Sequence, residues 1–209
     1  MAATILVTGF GPFPGAPFNP TGPLVERLAR LRRPYLANVK IVPHIFPTGY
    51  AAVDRDLPRL LAKHKPDALL MFGLAPRARA LRIETRARNT VSLLPDATAT
   101  SLSRHTIAAG GSAAIALPAP VHRLLVTVRT TGVPAALSRD AGRYLCNYLC
   151  WRAAEAAGKK GGPRLAAFVP VPKIARTARR PGKRRKLTLG DLTRAGGYLL
   201  AAVAAACHV

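Results

Sequence analysis

Residues 137–151, LSRDAGRYLCNYLCW, are the stretch that decides the fold. A strand ends near Leu137, and residues 140–142 have the composition of a turn. The apolar spacing over 144–157 then predicts a helix. A strand, a tight turn and a helix in this order are typical of an α/β protein, and they place Cys146 in the first turns of the helix.

A cysteine at the start of a helix has two interpretations. The free N–H groups and the dipole of the helix start lower the pKa of a thiol and favour the thiolate, which is the nucleophilic form. Alternatively, Cys146 is a small residue of the core, and its position alone does not separate the two. Cys150, one turn later, is predicted to be a buried small hydrophobe.

Strands and helices alternate along the rest of the chain. Short apolar runs stopped by glycine or proline predict strands, and apolar residues at helical spacing predict helices. The predicted strands are 3–8, 39–46, 67–72, 134–138 and 165–171; the predicted helices are 21–31, 50–64, 120–131, 144–157 and 189–206; residues 90–118 are predicted to be loop. We therefore expect one domain over residues 1–209, α/β in class, with a mostly parallel twisted sheet flanked by helices on both faces. In such a sheet the site forms beyond the carboxyl ends of the strands.

The loop after the first strand, residues 9–20, has the sequence GFGPFPGAPFNP. Its glycines do not have the GxGxxG spacing, and its prolines lack the N–H groups that hold a phosphate. Phe10 and Phe13 instead offer aromatic surface, which suits a small, flat, mostly apolar ligand. The alternative is that these rings only pack the loop.

Residues 73–89 follow the third predicted strand and have the sequence GLAPRARALRIETRARN. Glu84 is one of three glutamates in the chain and is surrounded by arginines. Its carboxylate is suited to orient an imidazole or to balance the arginines. The alternative is a partly exposed ion pair, which would contribute little.

The charge balance is strongly basic, with 32 Lys and Arg against 9 Asp and Glu, a net charge of +23. A polyanion partner such as nucleic acid is one explanation, and a biased genomic composition is the other. Most of the charge is scattered, only residues 179–186 form a dense basic run, and no nucleic-acid motif is present, which favours the second.

The three cysteines, Cys146, Cys150 and Cys207, do not form a disulfide framework. The start of the chain resembles no signal peptide, and the apolar C-terminal stretch is too short to predict a membrane span. We expect a reduced, cytoplasmic protein that has no membrane partner and binds no metal.

Taken together, these segments resemble the pyroglutamyl peptidase I (pyrrolidone-carboxylate peptidase) family of cysteine peptidases. The resemblance starts at LVTGFGPFPGAPFNPT, continues through PDALLMFGLA and IETRARN, and is sharpest at LSRDAGRYLCNYLCW. It implies a hydrolase, a thiol protease that removes N-terminal pyroglutamate from peptides. It also implies a single α/β domain without a cofactor, often assembled as a homotetramer.

The resemblance assigns roles residue by residue. Cys146 matches the nucleophile and Glu84 the glutamate of the catalytic set. The residues that match the substrate-binding positions are Phe10 and Phe13, which would sandwich the pyrrolidone ring, Tyr144, a further aromatic wall, and Asn19, which supports the loop.

One departure from the family pattern concerns the catalytic base. The family has a histidine at the end of the strand that here has the sequence FVPVP, and Pro170 takes its place. Proline is neither a base nor a donor. His44, which follows a strand, and His208, in the C-terminal segment, are the candidates to replace it.

Three functions from different classes follow. The first is an active cysteine peptidase with a displaced base, acting through a Cys146 acyl-enzyme. The second is a catalytically impaired relative that binds pyroglutamyl or cyclic-amide ligands. The third is a polyanion binder that uses the basic surface.

Overall fold

The computed structural model describes residues 2–175 and 186–208, and their architecture is α/β. The strands are β1 (Ala3–Phe10), β2 (Val39–Phe46), β3 (Ala68–Leu74), β4 (Leu81–Glu84), β5 (Arg86–Arg88), β6 (Ala114–Ala116), β7 (Ala135–Ser138) and β8 (Leu165–Val171). The helices are α1 (Thr21–Arg30), α2 (Tyr50–His64), α3 (Val121–Thr130), α4 (Leu145–Ala157) and α5 (Leu189–Ala206), with a short 3₁₀ turn at Pro34–Leu36.

The central sheet has four parallel strands in the order β2-β1-β3-β8. β1, β3 and β8 are apolar almost throughout because helices cover both faces of the sheet, whereas the edge strand β2 is only partly buried. Alternate residues point to opposite faces: Ile5 and Val7 pack with α1, α3 and α5, whereas Leu6 packs with α2 and α4. The predicted class, with its parallel sheet and helices on both faces, is confirmed.

Two small sheets complete the architecture. β4 pairs with β7 in parallel, β5 pairs with β6 antiparallel, and β4 lies beside β8. The sequence patterns missed β4, β5 and β6, which have only three or four residues, and arginines interrupt the first two. The other predicted elements lie within a few residues of their observed bounds. Most of the predicted basic loop, residues 176–185, lies outside the described residues.

The end of β8 and the start of α5 are tied together. The amide of Ala175 donates to the carbonyl of Leu187 at 2.8 Å. Thr188 and Asp191 then form a reciprocal capping box at the first turn of α5. The capping box therefore sets where α5 starts, and the hydrogen bond ties this start to the end of β8.

A buried aspartate ties the long loop before β6 to the start of α2. The carboxylate of Asp96 accepts from the Tyr50 amide at 2.9 Å, and also from Thr98 and from the Thr100 amide. Burial raises the pKa of Asp96, but hydrogen bonds from Thr98, Tyr50 and Thr100 outweigh that effect and lower it. No sequence pattern pointed to this residue.

Because Asp96 accepts several hydrogen bonds as a carboxylate, Asp96→Asn is expected to lower the free energy of unfolding by about 1–3 kcal/mol at pH 7. A lowered folded-state pKa stabilises the fold above the unfolded-state pKa, and this contribution disappears as the pH falls through the folded-state value. The difference in the free energy of unfolding between variant and parent should therefore become smaller below about pH 4. Urea unfolding at neutral and acidic pH measures it. Glu26→Gln, on the exposed face of α1, is the control and should have little effect. A difference in the free energy of unfolding that stays constant down to acidic pH would contradict this role of the Asp96 carboxylate.

Candidate active site

The turn that leads into α4 is fixed by local chemistry. The side chain of Asp140 accepts from the Gly142 amide at 2.9 Å, and Gly142 has a φ of +86°, which favours glycine. The helix then begins at Leu145, so Cys146 lies in its first turn, as predicted.

The sulfur of Cys146 lies directly above the backbone of β3. A Cβ atom placed on Gly73 would be 2.8 Å from the Cys146 Sγ and 2.7 Å from the ring of Phe168. Contacts this short do not occur, so glycine at position 73 is what allows the thiol to approach the sheet. The sequence marked Gly73 only as the end of a strand.

Asn147, the residue after the cysteine, anchors the start of α4. Its Oδ1 accepts from the Arg88 amide at 2.9 Å, and its Nδ2 donates to the carbonyls of Arg88 and Thr90, each at 2.8 Å. The side chain is fully buried, and it ties the first turn of α4 to β5. Asn147 directly follows Cys146 in the sequence, but no sequence pattern gave this asparagine a role.

Cys146 is partly exposed and lines a cavity of about 370 Å³. Pro170, Arg77, Arg82 and Asp140 also line it, together with the loop after β3 and with Ala141 and Gly142. Asp140 is paired with Arg88 at 3.2 Å. The cavity therefore combines a thiol with an excess of positive charge, which suits a ligand with carbonyl or carboxylate oxygens.

The protonation state of the thiol differs from the prediction. Burial raises the pKa of Cys146 to about 12; hydrogen bonding from the Leu74 backbone lowers it in part, and the charge of Glu84 raises it further. The residue as a whole is partly exposed to the cavity, but its sulfur lies directly over the backbone of Gly73. Loss of solvation around the sulfur thus outweighs the helix start, which was expected to lower the pKa.

Glu84, at the end of β4, is fully buried. Neither of its carboxyl oxygens has a hydrogen-bond partner of normal geometry among the described residues. Burial raises the pKa of Glu84, while the nearby Ser138 hydroxyl and the charge of Arg82 lower it in part. Glu84 is near enough to raise the pKa values of both Cys146 and Cys150. The alternative of a partly exposed ion pair is therefore wrong, because this carboxyl group is fully buried and forms no ion pair with a described residue.

Pro170 lies on the same side of the sheet as the thiol. It pairs with Gly73 in the β3–β8 register, and strand alternation puts it on the face to which Phe168 points. β8 contacts both β3 and β4, so position 170 lies between the strand under the thiol and the strand that carries Glu84.

Neither of the proposed replacement histidines lies near the thiol. His44 lies on β2, two strands from β3, over which the thiol lies, and two strand spacings correspond to about 10 Å. Its Nε2 is instead 3.6 Å from Asp56. His208 lies beside Asn38, at the amino ends of the strands and so at the opposite edge of the sheet. The replacement of the missing base by either histidine is therefore wrong.

The four residues predicted to bind substrate lie nearby but do not line this cavity. Phe10 is only 3% exposed and stacks at 6.0 Å on Phe46, in the cluster against which Cys146 and Tyr144 pack. Phe13 is partly exposed and covers Gly15.

Asn19 and Tyr144 hold loops in place. The Nδ2 of Asn19 donates to the Gly11 carbonyl at 3.1 Å, and its Oδ1 accepts from Thr21, so Asn19 braces the phenylalanine loop from within. The hydroxyl of Tyr144 donates to the Pro95 carbonyl at 3.1 Å. The ligand contacts of all four residues stay predictions.

A thiol at the start of a helix, beyond the carboxyl edge of a parallel sheet and near a buried carboxyl group, defines the class of α/β cysteine hydrolases. The family model described as pyroglutamyl peptidase matches residues 3–189, and the chain belongs to this family.

Individual relatives and solved structures agree with the family assignment. The pyrrolidone-carboxylate peptidase of Pyrococcus furiosus is 30% identical over 171 residues, which cover 81% of this chain and 81% of the relative. That of Halalkalibacterium halodurans is 32% identical over 200 residues, covering 93% of this chain and 96% of the relative. The crystal structure of Bacillus amyloliquefaciens pyroglutamyl peptidase I has a TM-score of 0.84 at 28% identity, with 97% of each chain covered.

Among the described residues, no helix has the length and apolar character needed to span a membrane.

Because a side chain at position 73 would displace the thiol, Gly73→Ala is expected to destabilise the fold by about 1–3 kcal/mol and to move Cys146. Thermal unfolding and the rate of Cys146 alkylation measure the two effects. Gly190→Ala is the matched control, since its nearest neighbour is at 3.6 Å on the exposed side of α5, and it should be neutral or slightly stabilising. Equal stabilities of the two variants would show that the close approach is not required.

The raised thiol pKa predicts an unusual pH profile for alkylation. Since only the thiolate reacts, the rate at Cys146 should still be rising at pH 10, whereas an ordinary cysteine levels off above about pH 8.5. Iodoacetamide labelling read by peptide mass spectrometry distinguishes Cys146 from Cys150 and Cys207. A rate that levels off near neutral pH would mean that the helix start, not burial, controls the thiol.

Proposed function

We propose that this chain hydrolyses the bond that follows an N-terminal pyroglutamyl residue in peptides, with Cys146 as the nucleophile. The observation that carries the proposal is Cys146, a partly exposed residue that lines a basic cavity at the carboxyl edge of the sheet. The names of the relatives in the same family supply the reaction. The expected homo-oligomer and cytoplasmic location are parts of the same proposal, supported by the resemblance.

The proposed reaction divides into substrate placement and bond exchange. The pyroglutamyl ring lies on the side of the phenylalanine loop, where Phe13 and Tyr144 have exposed surface. The Cys146 sulfur attacks the carbonyl carbon that links the ring to the next residue, and an acyl-enzyme forms as the peptide amine leaves. Free backbone N–H groups of the first turn of α4 stabilise the oxyanion, and water then releases pyroglutamate.

The proposed reaction requires a group that accepts the proton of the Cys146 thiol. No histidine lines the cavity among the described residues, and a thiol with a pKa of about 12 is almost fully protonated at neutral pH. Glu84 is the nearby acceptor, and its raised pKa makes its carboxylate a stronger base than an exposed glutamate. We propose that Glu84 takes the thiol proton and returns it to the leaving amine, at a lower rate than an imidazole would allow.

The second candidate function is binding with little catalysis. Three features favour binding without catalysis. Pro170 supplies no base, the pKa of the Cys146 thiol is raised, and the carboxyl group of Glu84 has no well-formed hydrogen bond to a described residue. In that case the cavity holds pyroglutamyl or cyclic-amide ligands without cleaving them. Release of product and binding of peptide are separate measurements, so the two candidates can be distinguished.

Pro170→His is expected to raise kcat/KM for a pyroglutamyl amide substrate by about 100-fold or more, because it supplies a base between the thiol and Glu84. Release of a chromophore from pyroglutamyl p-nitroanilide measures the gain. The alkylation profile of Cys146 should shift to lower pH in the same variant, since an imidazolium stabilises the thiolate.

Pro170→Asn is the matched control, because asparagine has a similar size but cannot accept the thiol proton at neutral pH. Cys146→Ala should abolish all release, and Glu84→Gln in the Pro170→His background should remove most of the gain. The catalytic assignment is overturned if the His and Asn variants at position 170 have equal activity. If all of these variants bind the peptide but release no product, the second candidate function, binding with little catalysis, is supported.

A further inference from the structure

A second cavity, which we call the basic groove, continues from the Cys146 cavity. It has a volume of about 720 Å³ and shares Pro76, Arg77 and Ala78 with that cavity. Its other walls come from the chain segments after β8 and before β4, β7 and α5. A ligand in one cavity can therefore extend into the other.

The groove is cationic. Arg77, Arg79, Lys173 and Lys186 line it, and all four are exposed. No acidic residue lines it among the described residues, and none of the four cations forms an ion pair with a described carboxylate. Unneutralised cations that share one cleft produce a stronger field than the same charges on a flat surface.

The order of the strands gives the groove a direction relative to the thiol. At the carboxyl edge, the phenylalanine loop follows β1, the thiol lies over the end of β3, and the groove begins beyond β3 and β8. A pyroglutamyl ring on the β1 side and a scissile carbonyl at Cys146 leave the rest of the peptide to run over the end of β8. Extended peptide advances about 3.3 Å per residue, so the first few residues after the scissile bond reach Lys173.

We propose that the basic groove is a subsite for acidic side chains in the first three or four residues that follow pyroglutamate. The preferred substrates are then pyroglutamyl peptides with an acidic start. This inference rests on the proposed function, since the position of the scissile bond defines the direction of the peptide. The recognition itself depends only on the four cations and on the continuity of the two cavities.

The lining of the groove favours a peptide over a nucleic acid. Its neutral residues are prolines, alanines and a leucine, and no aromatic side chain lines it among the described residues. Grooves for single-stranded nucleic acids combine positive charge with aromatic rings on which bases stack. The groove has the charge without the stacking surface.

The test measures binding with fluorescein-labelled peptides. The three peptides are pGlu-Ala-Glu-Glu-Gly, the same peptide with two glutamines and the same peptide with two lysines. On the parent protein at low salt, the acidic peptide should bind about 10-fold more tightly than the glutamine peptide, and the lysine peptide more weakly still. Added salt should reduce the difference.

A charge reversal localises the effect. Arg79→Glu combined with Lys173→Glu should remove the preference for the acidic peptide. Arg27→Glu combined with Lys63→Glu changes the net charge equally, at exposed positions in the last turns of α1 and α2, and should leave the preference in place. Equal effects of the two double variants would overturn the subsite, because overall charge alone would then explain the preference.

Two further probes separate the groove from the proposed function. An acetyl-Ala peptide with the same acidic residues tests dependence on pyroglutamate: equal binding supports the groove and contradicts the pyroglutamyl site. Equal binding of acidic and glutamine pyroglutamyl peptides overturns the groove alone. An oligothymidylate that binds more tightly than the acidic peptide, and loses binding in Arg79→Glu/Lys173→Glu, would show that the groove serves nucleic acid and would also overturn the proposal.

Discussion

The close approach of a helix start to the bare backbone of one glycine is the contact on which the site depends. Gly73 lets the Cys146 sulfur and the Phe168 ring meet over β3, and Asn147 holds the same turn of helix from the other side. Together they fix the thiol at the edge of the sheet, where the two cavities open. The same contact removes water from the sulfur, so the geometry that positions the thiol also opposes its ionisation.

Glu84 and Pro170 are two residues that affect whether this thiol can ionise. Glu84 has no well-formed hydrogen bond to a described residue, so its ionisation destabilises the folded state, and the buried thiol likewise prefers its neutral form. A group able to carry positive charge between them would relieve both. Proline at position 170 carries no charge, so it cannot link the thiol to the carboxyl group of Glu84 in this way.

The parts of this structure that follow from sequence are those with local signals. Short stretches rich in apolar residues gave β2 and β8, and helical spacing gave α2 and α5, at their observed bounds. Cys146 was placed correctly because the turn and the helix start are encoded next to it. The burial of Glu84 and the remoteness of His44 depend on which strands are neighbours, which no local pattern records. The pKa of the thiol depends on a tertiary contact with Gly73, and for that reason the helix start alone predicted the wrong direction.

The closure between Ala175 and Leu187 has a consequence for how this protein can diverge. The backbone hydrogen bond and the capping box of α5 fix both ends of the intervening segment without its help. Insertions or deletions there need not shift β8 or α5, because the entropy of closing a loop changes only slowly with its length. Evolution can therefore change the length or charge of this segment while Lys173 and Lys186 still line the basic groove, and under the subsite proposal the preference for acidic peptides could then change without moving Cys146.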